Sequence, residues 1–196
     1  GLDIDRKNKK KVIEKNTVSK NVNSLSQKRR LTAKNGYYFI WGYHAVKAAL
    51  SNPNRVVRTF YASTKTKEMA LNLIQNATCK TDTDTLKLMI LDAEQFSLSP
   101  DSSEKRVHQQ LMIEVKPLEI TDLTDILFAT KHLRLVVLDQ ITDSRNIGAI
   151  IRSAKAFGCD AVIISKHNTP AENGNLARAA AGALEDIPVI KVTNLK

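Results

Sequence analysis

The sequence predicts an α/β protein. Three observations carry that expectation. Apolar runs of strand character alternate with helical apolar stripes along most of the chain. The run "LRLVVLD" at 133–139 is unbroken, as in a strand buried on both faces. From there the pattern reads strand, helix, strand, helix, strand, the order of a parallel sheet with right-handed crossovers. With 196 residues and 42% hydrophobic content, the chain is long enough for one large domain or two small ones.

The first folded segment is expected over 37–116. "YYFIWGYHAVKAAL" passes from a strand-like aromatic run into a helix whose stripe is Ala45, Val46, Ala49 and Leu50. "SNPN" is a turn and "RVVRTFYAS" a strand. "KTKEMALNLIQNAT" predicts a second helix with Met69, Leu73 and Ile74 on one face. "TLKLMIL" is a strand, "DAEQFSL" a short helix capped by Asp92, and "QQLMIEVKP" a strand stopped by Pro117. A linker at 117–132 carries an Asp-capped amphipathic helix with Leu123, Ile126 and Leu127 at helical spacing. The second segment spans 133–196. It holds the strand above, the helix "NIGAIIRSAKAFG" with Gly158 as its stop, the strand "CDAVIIS", the helix "NGNLARAAAGALED" and the strand "IPVIKV".

The net charge of +10 is unevenly placed. Residues 1–36 hold eleven Lys/Arg and three acids, while the other 160 residues hold nineteen and seventeen. Such a polar segment buries too little apolar surface to offset its chain entropy, so residues 1–36 are expected to be a disordered basic arm. The arm suits a polyanion, RNA first, or serves only to solubilise. No apolar run is long enough to span a bilayer. Cys79 and Cys159 lie far apart without a CxxC pairing, and the histidines lack metal-ligand spacing. No metal is expected, and a reducing, cytoplasmic setting fits.

The candidate site is the turn "DQITDSRNIGAIIR" at 139–152, beyond the carboxyl end of a parallel strand, where ligands bind in such sheets. Asn146 is suited to cap the helix. Gly148 lets a ligand or another backbone approach the first turn closely. Arg152, four residues on, shares a helical face with Gly148 and stays charged. An anionic group there meets a helix N-terminus and a guanidinium together. The alternative is an ordinary cap with an arginine paired to a nearby acid. Neither a GxGxxG fingerprint nor a P-loop follows the strand, so a nucleotide cofactor of the Rossmann kind is not expected.

"LDQITDSRNIGAIIRSAKAFGCDAVIIS" resembles the first signature of the SpoU/TrmH branch of the SPOUT RNA methyltransferases: a strand, Asn-x-Gly-x-x-x-Arg, a second strand. "ARAAAGALEDIPVIKVTNL" resembles the segment that follows, with Ala180 where many relatives have Ser. "YFIWGYHAVKAAL" and "KRVHQQLMIEVKP" resemble the start and end of the family's L30e-like substrate domain, with Gln110 where relatives usually have Gly. The nearest subfamily resembles the 23S rRNA guanosine-2'-O-methyltransferases. The resemblance implies an L30e-like α/β substrate-binding domain at 37–116. It also implies the first part of a parallel-sheet (α/β knot) methyltransferase domain at 133–196.

It implies methyl transfer from S-adenosylmethionine to a ribose 2'-hydroxyl, with rRNA as partner and a homodimer when full length. Arg152 and Asn146 are then the catalytic pair. Arg152 clamps charge on the 2'-oxygen or adjacent phosphate, and the proton leaves to phosphate or water. Arg145, Gly148, Arg178, His44 and Glu185 are the expected RNA-contacting residues. The family's later signatures, which hold the cofactor in the knot, would lie beyond Lys196. This chain is therefore expected to bind S-adenosylmethionine weakly or not at all, and to show an unpaired sheet edge. Two other classes stay open: a non-catalytic RNA-binding module resembling a ribosomal protein, and a small-ligand α/β protein without affinity for RNA.

Overall fold

The structure, a computed structural model, describes residues 13–14, 31–83, 85–92, 95–96, 109–119, 122–127, 132–167 and 169–195. Two sheets organise it. The first contains β1 (Ile13–Glu14), β2 (Tyr38–Trp41), β3 (Val56–Ala62), β4 (Lys80–Thr81), β5 (Lys87–Ile90) and β6 (Leu111–Val115). Its order is β1-β5-β3-β6-β2, with β4 against β3. β3 and β5 run parallel, whereas β3–β6 and β6–β2 are antiparallel. Helices α1 (Tyr43–Ser51) and α2 (Lys67–Gln75) belong to this part. The second sheet is β7 (Leu135–Leu138), β8 (Ala161–Ser165) and β9 (Val189–Val192), all parallel in that order. Helices α4 (Ser144–Ala156) and α5 (Gly174–Ala180) connect its strands. The short α3 (Leu123–Leu127) lies between the two sheets in sequence.

One apolar core joins the two sheets. It gathers Ile40 and Phe60 of the first sheet, Ala45, Val46, Ala49 and Leu50 of α1, and Ile147 and Ile151 of α4. Leu176 and Ala180 of α5 and Val162 and Ile164 of β8 complete it. The period-2 alternation of strands sends their neighbours the other way. Phe39 and Trp41 form a second cluster with Tyr61 and Met112. Ala161 and Ile163 form a third with Ile126 and Leu123 of α3. Among the described residues β7 and β9 each pair on one side only, and Val137 on β7 is 55% exposed.

Several expectations need correction. The basic arm lies mostly outside the described residues, but the folded part begins before residue 37. Leu31 and Ala33 pack on the Phe39–Trp41 cluster, the Lys34 N–H donates to Glu114 at 2.7 Å, and Ile13–Glu14 pairs with β5. In α2 the buried residues are Ala70 and Ile74, while Met69 is exposed. The helix expected over "NGNLARAAAGALED" ends at Ala180. Ala181 and Gly182 take left-handed backbone (φ 50° and 97°), and a short 3-10 turn, Ala183–Glu185, follows. The cause is tertiary: α1 passes so close that a Cβ on Gly182 would lie 2.8 Å from Ala48 Cβ.

Gly148 is buried where α4 crosses α5. A Cβ there would lie 2.4 Å from the Leu176 carbonyl oxygen and 2.7 Å from Ala179 Cβ. In an open helix, Gly→Ala stabilises by about 1 kcal/mol. Here the obstacle is backbone, and overpacking costs about 1–3 kcal/mol. Gly148→Ala is expected to lower the melting temperature; a rise would show that the two helices separate freely.

Candidate functional site

Helix α4 begins two residues earlier than its sequence pattern suggests, and its cap is Asp143 rather than Asn146. Asp143 is extended (φ −84°, ψ 118°) and its carboxylate accepts the Arg145 N–H at 2.8 Å. Asn146 sits inside the first turn and is exposed. It lines an open cleft of about 490 Å³ with Gln140, Thr142, Asp143 and Ile150, beyond the carboxyl end of β7. Gln140 is left-handed there, with φ 55°. A non-glycine residue in that region stores about 1–3 kcal/mol of strain, and such strain gathers at functional sites.

Arg152 is exposed and forms no hydrogen bond or ion pair with another described residue. It is thus not locked against any described carboxylate. At 3.6 residues per turn, Asn146 and Arg152 project about 120° apart, so they flank α4 instead of sharing one wall. Arg145, seven residues before Arg152, falls on the same side. It is exposed, with its Nε 3.7 Å from Asp143 Oδ1. Arg178 is exposed on α5, the helix packed against Gly148. The structure therefore collects Asn146, Arg145, Arg152 and Arg178 on two adjoining helices.

The other predicted contacts are placed elsewhere. Gly148 faces α5, so the close approach it permits is that of a backbone, not of RNA. His44 stands on α1, exposed, with its ring edge-on to Tyr43 at 5.4 Å. Glu185 is not a surface contact: its side chain is 3% exposed and bound to Arg55, whose side chain is fully buried. Arg55 Nη2 donates to Glu185 Oε1 at 2.5 Å and Nε to Oε2 at 3.1 Å. Its Nη1 donates to Glu172 at 2.7 Å and to the Lys116 carbonyl at 2.8 Å. Asn52 donates to Glu185 at 2.8 Å, and the Tyr38 hydroxyl donates to Glu172.

Burial opposes the charge on Arg55, but Tyr38, Glu185 and Glu172 outweigh it and hold its pKa above its ordinary value. Burial, then the charge of Glu172, pushes Tyr38 well above the usual phenol range. This network ties α1 and β3 to the segment around α5 across the core. No sequence signal announced it, because the partners lie 117 and 130 residues from Arg55. A cleft of about 560 Å³ opens beside it, walled by Glu119, Glu172, Glu185 and Asp186 with Lys80 and Lys191.

A second buried carboxylate, Glu114, is 1% exposed and accepts Arg58 Nη1 at 3.1 Å and the Tyr61 hydroxyl at 3.4 Å. Burial, then the charge of Glu114, pushes the Tyr61 pKa to about 12. A raised phenol pKa contributes stability that is whole below the unfolded value of about 10 and is lost as pH rises through the folded one. Unfolding free energy is expected to fall between pH 10 and about 12, and Tyr61→Phe to flatten that fall in alkaline denaturation.

A three-stranded parallel sheet with helix crossovers and an open cleft beyond its carboxyl end makes this a mixed α/β protein. Residues 134–196 match the family model described as the SpoU rRNA Methylase family. The chain is 34% identical over 160 residues to the 23S rRNA (guanosine-2'-O-)-methyltransferase RlmB of Escherichia coli K12, covering 80% of this chain and 63% of that protein. The RlmB of Photorhabdus laumondii gives the same identity and the same coverage. The chain thus spans less than two thirds of the relatives it matches. Among solved structures, the SpoU methyltransferase AviRb of Streptomyces viridochromogenes in complex with AdoMet superposes with TM-score 0.64 at 20% identity, over 81% of this chain and 56% of that one. The AdoMet-bound rRNA methyltransferase of Sinorhizobium meliloti gives 0.58 at 20%, over 80% and 54%. No helix among the described residues is long and apolar enough to cross a membrane.

Proposed function

We propose that this polypeptide is the RNA-facing and acceptor-activating part of an S-adenosylmethionine-dependent ribose 2'-O-methyltransferase. Its substrate is rRNA, a guanosine of 23S rRNA in the nearest reading. The relatives' names support the substrate class. Within it, residues 37–116 act as an L30e-like substrate-holding domain and 133–196 as the start of the catalytic domain, working as a homodimer in the cytoplasm. The observation that carries the reading is the exposed Arg152 on a capped helix beyond β7, free of any described carboxylate.

S-adenosylmethionine supplies the methyl group. The cleft beside Asn146 is open, and its one carboxylate, Asp143, already accepts the Arg145 N–H. These residues do not by themselves fit an adenosyl group. What the chain's own side chains supply is the acceptor half of the chemistry. A ribose hydroxyl is a weak nucleophile until its proton leaves, and charge then grows on the 2'-oxygen. A guanidinium brought against that oxygen stabilises the charge as it grows. It cannot take the proton, since arginine carries donors only. The proton passes to a phosphate oxygen or to water. Arg145 and Arg178 offer further cations for the flanking phosphates, and Asn146 offers an amide on the opposite flank of α4.

The test is product identity. The whole natural protein is incubated with 23S rRNA fragments and methyl-labelled S-adenosylmethionine, and the RNA is digested to nucleosides for mass analysis. The expected product carries its label on the ribose oxygen. Label on a base, or none with a folded protein, overturns the reading.

A further inference from the structure

Away from the α4 site, the root of the basic arm enters a compact cation cluster on the first sheet. Tyr37 lies at its centre. Lys34 Nζ, Lys116 Nζ and Arg58 Cζ stand 5.6, 5.5 and 5.9 Å from the middle of its ring. All three are within the reach of a cation–π contact. Their elements are unrelated in sequence: the segment before β2, the end of β6, and β3.

Besides the buried Glu114, the carboxylate of Asp82 sits among them, at 3.9 Å from Lys34, 3.9 Å from Arg58 Nε and 3.7 Å from Lys116. These distances exceed hydrogen-bond length, so Asp82 gathers the cations without consuming their N–H donors. Arg58 Nη1 has a short contact to the buried Glu114 at 3.1 Å, and Lys116 hydrogen-bonds the Tyr37 hydroxyl. The Tyr37 hydroxyl, with the three cations, keeps Asp82 ionised by lowering its pKa. The side chains of Lys34 and Lys116 are 53% and 48% exposed.

We propose that the Tyr37–Lys34–Arg58–Lys116 cluster is a phosphodiester-binding surface that seats an RNA strand beside the basic arm. The inference deepens the RNA reading above and rests on it. Two observations choose RNA over an anionic membrane. Lys34 belongs in sequence to the segment 1–36, which carries eleven Lys/Arg, a supply of cations suited to a phosphate backbone. The exposed large hydrophobic residues among those described, Met69, Val137 and Phe157, are not in it, so it lacks an apolar wedge for a bilayer.

The experiment measures binding of a fluorescein-labelled single-stranded RNA by anisotropy over a salt series, using the 196-residue chain. Lys34→Gln/Lys116→Gln is compared with Lys47→Gln/Lys65→Gln, which removes the same charge from exposed positions elsewhere. Each single-strand phosphate contact contributes about 0.7 to the slope of log K against log salt, so the first variant is expected to lose about 1.4. That corresponds to roughly 10- to 30-fold weaker binding near 0.1 M salt. The control pair is expected to change the slope by less than half as much. Equal slopes for the two variants, or no change in the first, overturn the proposal. So does loss of binding to phosphatidylserine vesicles with RNA affinity intact. If the unaltered chain binds no RNA at all, both this inference and the RNA reading fall.

Discussion

Arg55→Met is expected to cost about 3–5 kcal/mol of folding free energy, the usual penalty for breaking a buried ion pair from one side. The guanidinium is fully buried and serves four acceptors: Glu185, Glu172, the Lys116 carbonyl and, at 3.3 Å, the Tyr38 hydroxyl. Methionine of similar length fills the space but donates nothing. Glu185, with 3% of its side chain exposed, then faces Glu172 without a counter-charge. Asn52 gives Glu185 one remaining donor, which softens the loss but does not neutralise it. Urea unfolding with a shared m-value checks the figure. The double variant Arg55→Met/Glu185→Leu is expected to lose less than the two single losses added together, because each single change leaves a partner stranded. A loss below about 1 kcal/mol for Arg55→Met would mean that water reaches the network in solution.

Arg152→Ala is expected to slow methyl transfer by about 100- to 1000-fold while leaving the fold intact. The side chain is exposed and holds no other described residue, so its removal opens no cavity and strands no charge. Unfolding curves of the variant and the parent are therefore expected to superimpose. RNA affinity falls only by the worth of one surface cation, about 1 kcal/mol or less. The split between rate and affinity distinguishes a group acting in the transition state from one that merely binds phosphate.

Much of the fold was legible because local pattern and burial coincide. The stripe Ala45, Val46, Ala49, Leu50 is buried as its 3.6-residue spacing demands, and "LRLVVL" and "CDAVIIS" pair as parallel neighbours. The misreadings have physical causes. Asp143 and Asn146 are equally good caps by type, and only the extended backbone at Asp143 decides between them. The break at Ala181–Gly182 answers to α1, more than 130 residues earlier, which leaves no trace in the local sequence. Gly174 falls within the expected helix and its sequence does not show why it is glycine, yet a Cβ there would lie 1.9 Å from the Trp41 ring. At the site, the sequence put Arg152 on one helical face with Gly148, yet Gly148 is buried against α5 while Arg152 is exposed. The burial of Glu185 was not legible either, since an acid after a helix ordinarily reads as surface.

The role of Arg152 is tested most directly by changing the nucleophile. An RNA carrying a 2'-amino group at the target ribose presents a neutral amine that attacks without first becoming an alkoxide. In the whole protein, the rate ratio between the unaltered enzyme and Arg152→Ala is measured on that RNA and on the ordinary one. A ratio of about 100 or more on the hydroxyl that collapses to within a few-fold on the amine is the expected result for stabilisation of oxygen charge. The same ratio on both acceptors would contradict it, leaving Arg152 as an ordinary phosphate contact.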